Sequence, residues 1–169
     1  MMPEHHEVHP LLPLLLAAAE GTFPSGDGGV VFLPPLQAGL QAAVSFTGHA
    51  VVATSRLPKD FARFLLDGYG PALQPAVLQH LAGATGRVGI LDLTLVARGL
   101  GGGQLPPRHD LDEHPRVLHA RGLRQAVRVF GDARGLVTLA RGLAGRAELS
   151  VEAVPSLQGR GVGRSLTGK

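Results

Sequence analysis

Three features of the 169-residue sequence predict an α/β chain in two parts. Over the first hundred residues, Val-rich runs of strand length alternate with Leu/Ala-rich stretches of helical length. A glycine cluster, "GLGGGQLPPR" (99–108), then interrupts the pattern and marks a boundary near residue 105. Beyond it, three strand-like runs lead into a second glycine-rich stretch, "QGRGVG" (158–163). Hydrophobic residues make up 44% of the chain, enough to fill a core, and aromatics only 4%, so that core must be Leu, Val and Ala.

In the first part (1–105), "HPLLPLLLAAAEG" (9–21) carries an apolar helix at 11–19. The same run resembles a signal-peptide core, but the preceding "MMPEHHEVH" has two Glu and no Lys or Arg, the wrong charge for a leader. The loop "FPSGDGG" (23–29) precedes a strand, "VVFLPP" (30–35), and then a hairpin, "LQAAVSF" and "HAVVATS", turning at Thr47-Gly48. "PKDFARFLLDGYG" (58–70) and "PALQPAVLQHLAG" (71–83) are predicted as two short helices, and "RVGILDLTLVARG" (87–99) as a buried strand.

In the second part (106–169), "DLDEHPRVLHARGL" (110–123) predicts a helix whose start gathers acids and a proline. Strands follow at "AVRVFG" (126–131), "LVTLARGLA" (136–144) and "AELSVEAV" (147–154), joined by the turn sequences "DARG" and "GR". That is an antiparallel meander running into a glycine-rich loop, with a helix expected to open behind the loop.

Charge separates the two ends of the chain. Residues 1–119 hold seven Lys/Arg against ten Asp/Glu, and residues 120–169 hold nine against three, within a net charge of +3. A basic C-terminal segment suits an anionic ligand such as a coenzyme phosphate. Nucleic acid fits less well, because Phe130 is the only aromatic in that segment to stack on a base. The absence of cysteine excludes disulfides, thiolate metal sites and a cysteine nucleophile, and is compatible with the cytoplasm. No apolar run reaches the length of a membrane span.

Three motifs compete for the final stretch, "VEAVPSLQGRGVGRSLTGK" (151–169). A dinucleotide fingerprint needs G-x-G-x-x-G within a βαβ unit, whereas this loop is G-x-G-x-G after a meander. "GRSLTGK" (163–169) satisfies G-x-x-x-x-G-K but lacks the Ser or Thr that would hold magnesium. The third match is "QGRGVG", which fits the Q/R-x-x-G-x-G/A pattern of the GNAT superfamily of N-acetyltransferases. It stands where that family places it, after a strand closing an antiparallel meander and a short link containing Pro155, and residues 110–169 resemble the family over that span.

The resemblance implies an incomplete GNAT-like fold of α/β class and acetyl-CoA as the acyl donor. It implies that the backbone of Gln158, Gly159, Arg160, Gly161, Val162, Gly163 and Arg164 binds the coenzyme pyrophosphate. The strand before the loop, at about Leu149, Val151 and Val154, would pair with the pantetheine arm. Glu148, near the start of that strand, would be the general base that deprotonates a small-molecule or peptide amine acceptor. Alternation puts Glu148, Ser150 and Glu152 on one face, either lining the acceptor cleft or lying as the solvated face of a sheet. Only "RSLTGK" follows the loop, where the family continues with further helices and strands, so the reading is of a truncated acetyltransferase. A non-catalytic coenzyme-A-binding relic is the alternative, and a nucleotide-binding protein comes third. The final strand would then present an open edge, available for pairing with a second copy.

The remaining polar clusters have simpler explanations. "PEHHEVH" (3–9) is read as a polar terminus and not a metal site, since H-E-x-x-H is not formed. "RHDLDEH" (108–114) is read as acids at a helix start, with metal or amine binding as the sharper alternative. His49, at the hairpin, is read as a turn residue, with an acceptor-site base as the sharper alternative, and no G-x-S-x-G elbow is present.

Overall fold

The tightest feature of the N-terminal half is the hairpin. Gly48, with φ of 78°, takes the left-handed conformation the turn requires, and the strands Ala42–Phe46 (β2) and His49–Ala53 (β3) pair from Phe46 opposite His49. Val30–Leu33 (β1) joins the other edge of β3 in parallel, so the order is β1-β3-β2 and every residue of β3 is buried. The computed structural model describes residues 8–89, 94, 95, 98, 99, 101 and 104–167. It divides into two compact units, Met1–Arg98 and Gly99–Lys169, the second opening at the head of the glycine cluster. Together the described residues form a mixed α/β chain with one small three-stranded sheet in each unit.

Helices in the first unit follow proline and the apolar spacing. Leu11–Ala19 (α1) buries Leu11, Leu15 and Ala18, one face at i, i+4 and i+7. The helix expected over 58–70 is instead a tighter 3₁₀ helix, Pro58–Phe64, which stops at Leu65 in the left-handed region. The helix expected over 71–83 is split, because the residue before a proline is pushed to extended backbone. Gln74 has ψ of 145°, separating a 3₁₀ turn, Pro71–Leu73, from Pro75–Ala82 (α2). The core is Ala50, Val52, Phe61, Ala72, Val77 and Leu81. The strand expected over 87–99 falls largely on residues outside those described, and 87–89 have no regular secondary structure.

In the second unit Pro115–Leu123 (α3) begins after the acids at 110–113, not among them. His114 takes the capping position, its ring nitrogen accepting the Arg116 amide, with Pro115 in the first turn. Gln125–Asp132 (β4), Gly135–Arg141 (β5) and Ala147–Ala153 (β6) form the meander in the order β4-β5-β6. Thr138 and Ser150, paired across β5 and β6, share a 2.6 Å hydrogen bond. On that face Arg116 of α3 reaches Glu152. On the opposite face Gly163, in Val162–Leu166 (α4), lies over Val151. The meander is thus flanked by the helix before it and the helix after it.

Candidate functional site: the open edge of β6 and the glycine loop

Among the described residues β6 has a neighbour on one side only, and its backbone parity determines which groups face the open side. The Val154 amide donates to Arg134, and the Arg146 carbonyl accepts from Gly142, so even-numbered residues bond inward to β5. Alternation leaves the amides and carbonyls of Ala147, Leu149, Val151 and Ala153 facing the open edge. Leu149 and Val151 therefore present free backbone groups, whereas the Val154 amide is already committed to Arg134. At the far end, the Gln158 side chain donates to the Ala153 carbonyl at 3.4 Å and covers the last acceptor of the edge.

A 3₁₀ turn at Pro155–Leu157 carries the chain away from β6 into the loop. Gly159 and Gly161 both adopt positive φ, at 73° and 74°, and a side chain at either would meet only open space. Gly161 starts α4, accepting from the Ser165 amide, and it has no side chain to cap the amides that follow. From Gly159 through Arg164, six successive amides donate to no acceptor among the described residues. Arg160 and Arg164 are exposed beside them and make no ion pair among those residues. N–H groups without acceptors beside two exposed cations are a combination suited to an oxyanion. Sequence reasoning missed Arg134. Ion-paired to Asp132 in the β4–β5 turn, it also reaches the Ser165 hydroxyl at 2.9 Å and so holds α4 in place.

Glu148 lies near the start of β6 with its side chain 17% exposed. Its Oε2 accepts from Arg124 at 2.7 Å, and its Oε1 accepts from the Leu143 amide at 2.9 Å and from Arg146 at 3.1 Å. Burial pushes the carboxyl upward, but the Leu143 amide and the two guanidiniums outweigh it and leave the pKa lowered. Three donors occupy its two oxygens, and its lowered proton affinity bears against the general-base role that the family resemblance implies. The rest of its face is also engaged, Glu152 with Arg116 and Ser150 with Thr138. A small cavity of about 180 Å³ lies beside Glu152, with Arg108, His114, Asp132 and Leu136 in its wall.

The other clusters are occupied structurally. In 108–114, Arg108 grips Asp110, Asp112 binds Arg121 and His114 caps α3. The Arg108 guanidinium beside Asp110 holds that carboxyl at about 2. Most of 3–9 lies outside the described residues, and among those described no group of acids and histidines is placed to hold a metal. The phosphate-loop match at 163–169 loses its loop, because Val162–Leu166 is helical, and its Gly168 and Lys169 lie outside the described residues. His49 is more than a turn residue. It is buried, and its Nδ1 meets Asp27 at 3.0 Å; that contact, with the Gly29 amide, lowers the Asp27 carboxyl.

No described helix is long and apolar enough to cross a membrane. No protein-family model matches the chain, nor does any curated protein or solved structure.

Proposed function

We propose that the C-terminal unit binds the pyrophosphate of an acyl-coenzyme A, and that it serves acetyl transfer to an amine. The run of six undonated amides at Gly159–Arg164, placed at the end of an open strand edge, carries the reading. It is supported by the order of elements, a helix, a three-stranded antiparallel meander, a glycine turn and a helix, which is the order implied by the resemblance to GNAT acetyltransferases.

The coenzyme supplies an activated thioester carbonyl for attack by the amine nitrogen. The loop amides, with Arg160 and Arg164, hold the diphosphate, and the outward backbone groups of Leu149 and Val151 align an amide-bearing arm along β6 as an added strand would lie. Glu148 maintains the cationic pair Arg124 and Arg146 and keeps the β6 start closed. Its ion pairs favour a second reading, in which the unit binds the coenzyme without catalysing transfer.

Calorimetric titration with acetyl-CoA, and with ATP in parallel, tests the binding. Saturable acetyl-CoA binding that Gly161→Glu weakens by roughly tenfold or more is expected, since the substitution puts a carboxylate and an unfavourable φ into the anion site. Binding indifferent to that change, or a preference for ATP, would overturn the reading. Release of free thiol in the presence of an amine panel separates transfer from binding alone.

A further inference from the structure

The first unit holds a cationic cleft that the acyl-coenzyme reading does not use. We propose that the cleft between Arg56, Arg63 and His80 binds a small phosphate-bearing anion. Its volume is about 550 Å³, and Phe64, Gln79 and Gly83 also line it.

The walls are held in place before any ligand arrives. The Arg56 amide donates to Thr54 Oγ1, Thr54 donates to Gln41, and Gln41 donates to the Leu81 carbonyl, tying the segment after β3 to α2. Arg56 lies close over Gly83, where a Cβ would stand 3.0 Å from its Nη2. Arg63 stacks its guanidinium 4.6 Å above the Phe64 ring. The His80 ring meets Phe61 edge-on at 5.0 Å and Phe64 at 5.2 Å, so the apolar core fixes its orientation.

The polar atoms of this wall lack partners. His80 Nε2 and Arg56 Nε are buried and make no hydrogen bond among the described residues. Among the described residues neither Arg56 nor Arg63 pairs with an acid. Asp60, the carboxylate nearby, accepts the Leu57 amide. Burial, and then the charges of Arg56 and Arg63, lower the His80 pKa, so its ring is neutral at pH 7 and contributes one N–H. Two unpaired guanidiniums call for a compact dianion with several acceptor oxygens. A phosphate or phosphomonoester meets that description better than a single carboxylate.

The cleft shares no residue with the acyl-coenzyme site, so the two can be tested separately. The full-length chain is titrated with inorganic phosphate, with glycerol phosphate and with acetate, following the imidazole nitrogens of His80 by NMR and the heat by calorimetry. The His80 signals are expected to shift saturably with phosphate or its ester and not with acetate. Arg63→Gln, at an exposed position, should weaken binding roughly tenfold or more without altering the melt. Arg160→Gln, in the C-terminal loop, should leave the phosphate-dependent His80 shift unchanged. Unshifted His80 signals, a His80 titration indifferent to Arg63→Gln, or loss of the His80 shift on Arg160→Gln would each overturn the proposal. The relative strength of the two phosphate arms distinguishes the free ion from a phosphorylated small molecule.

Discussion

At Glu148 two oxygens serve three donors, and the consequence is read in stability before rate. Glu148→Gln would leave Arg124 and Arg146, both less than a fifth exposed, without their counter-charge. The expected loss is about 1–3 kcal/mol at pH 7, measured by chemical denaturation. The folded carboxyl titrates below the 4.5 of an unfolded glutamate. Its contribution is therefore complete above that pH and is lost as the pH falls through the folded value. The gap between wild type and variant should close as acidification protonates the folded carboxylate, and a gap constant with pH would show that the ion pairs do not stabilise the fold. The sequence displayed the alternation that puts Glu148 on a face with Ser150 and Glu152. It could not display Arg124, which lies 24 residues away and arrives only when α3 packs on the sheet.

Among the elements, β6 makes the most exposed claim. Inward bonding of even residues and outward display of odd ones predicts a two-residue rhythm in hydrogen exchange. The amides of Glu148, Ser150 and Glu152 should be protected in the free chain, while those of Leu149 and Val151 exchange quickly. Acetyl-CoA should slow Leu149 and Val151 selectively if an extended arm lies along the edge. Protection of the same amides without ligand, growing with protein concentration, would instead mean pairing with a second copy. The meander and the 42–53 hairpin were legible because alternation and turn residues agree there: Thr47-Gly48 between two apolar runs, and the "DARG" turn before β5. The 3₁₀ helix at 58–64 was not, since "PKDFARF" has helical spacing and only the left-handed Leu65 ends it. The acids of 110–113 misled for a related reason. Acids ahead of a proline read as a first turn, but His114 supplies the cap, and two of the three acids pair with arginines.

At the scale of the whole chain, each unit has its own sheet and its own buried side chains, and Phe61 tests what that separation means. It is 2% exposed at the centre of the first core, with Phe32 at 5.2 Å and the His80 ring at 5.0 Å. Phe61→Ala removes those contacts, at about 3–5 kcal/mol. Because a domain holds only about 5–15 kcal/mol in total, that loss should unfold or loosen the first unit. The phosphate cleft should disappear with it, since Phe64 and His80 lean on the same ring. The buried positions of the second unit, Val117, Val129, Leu136 and Thr138, belong to a separate set of contacts. Hydrogen exchange on Phe61→Ala should therefore show β3 losing protection while β5 keeps it, and acetyl-CoA binding should survive the loss of phosphate binding. Simultaneous loss of protection in β3 and β5 would mean that the chain folds as one cooperative body. In that case the C-terminal loop depends on the N-terminal core, which the separate sheets do not require.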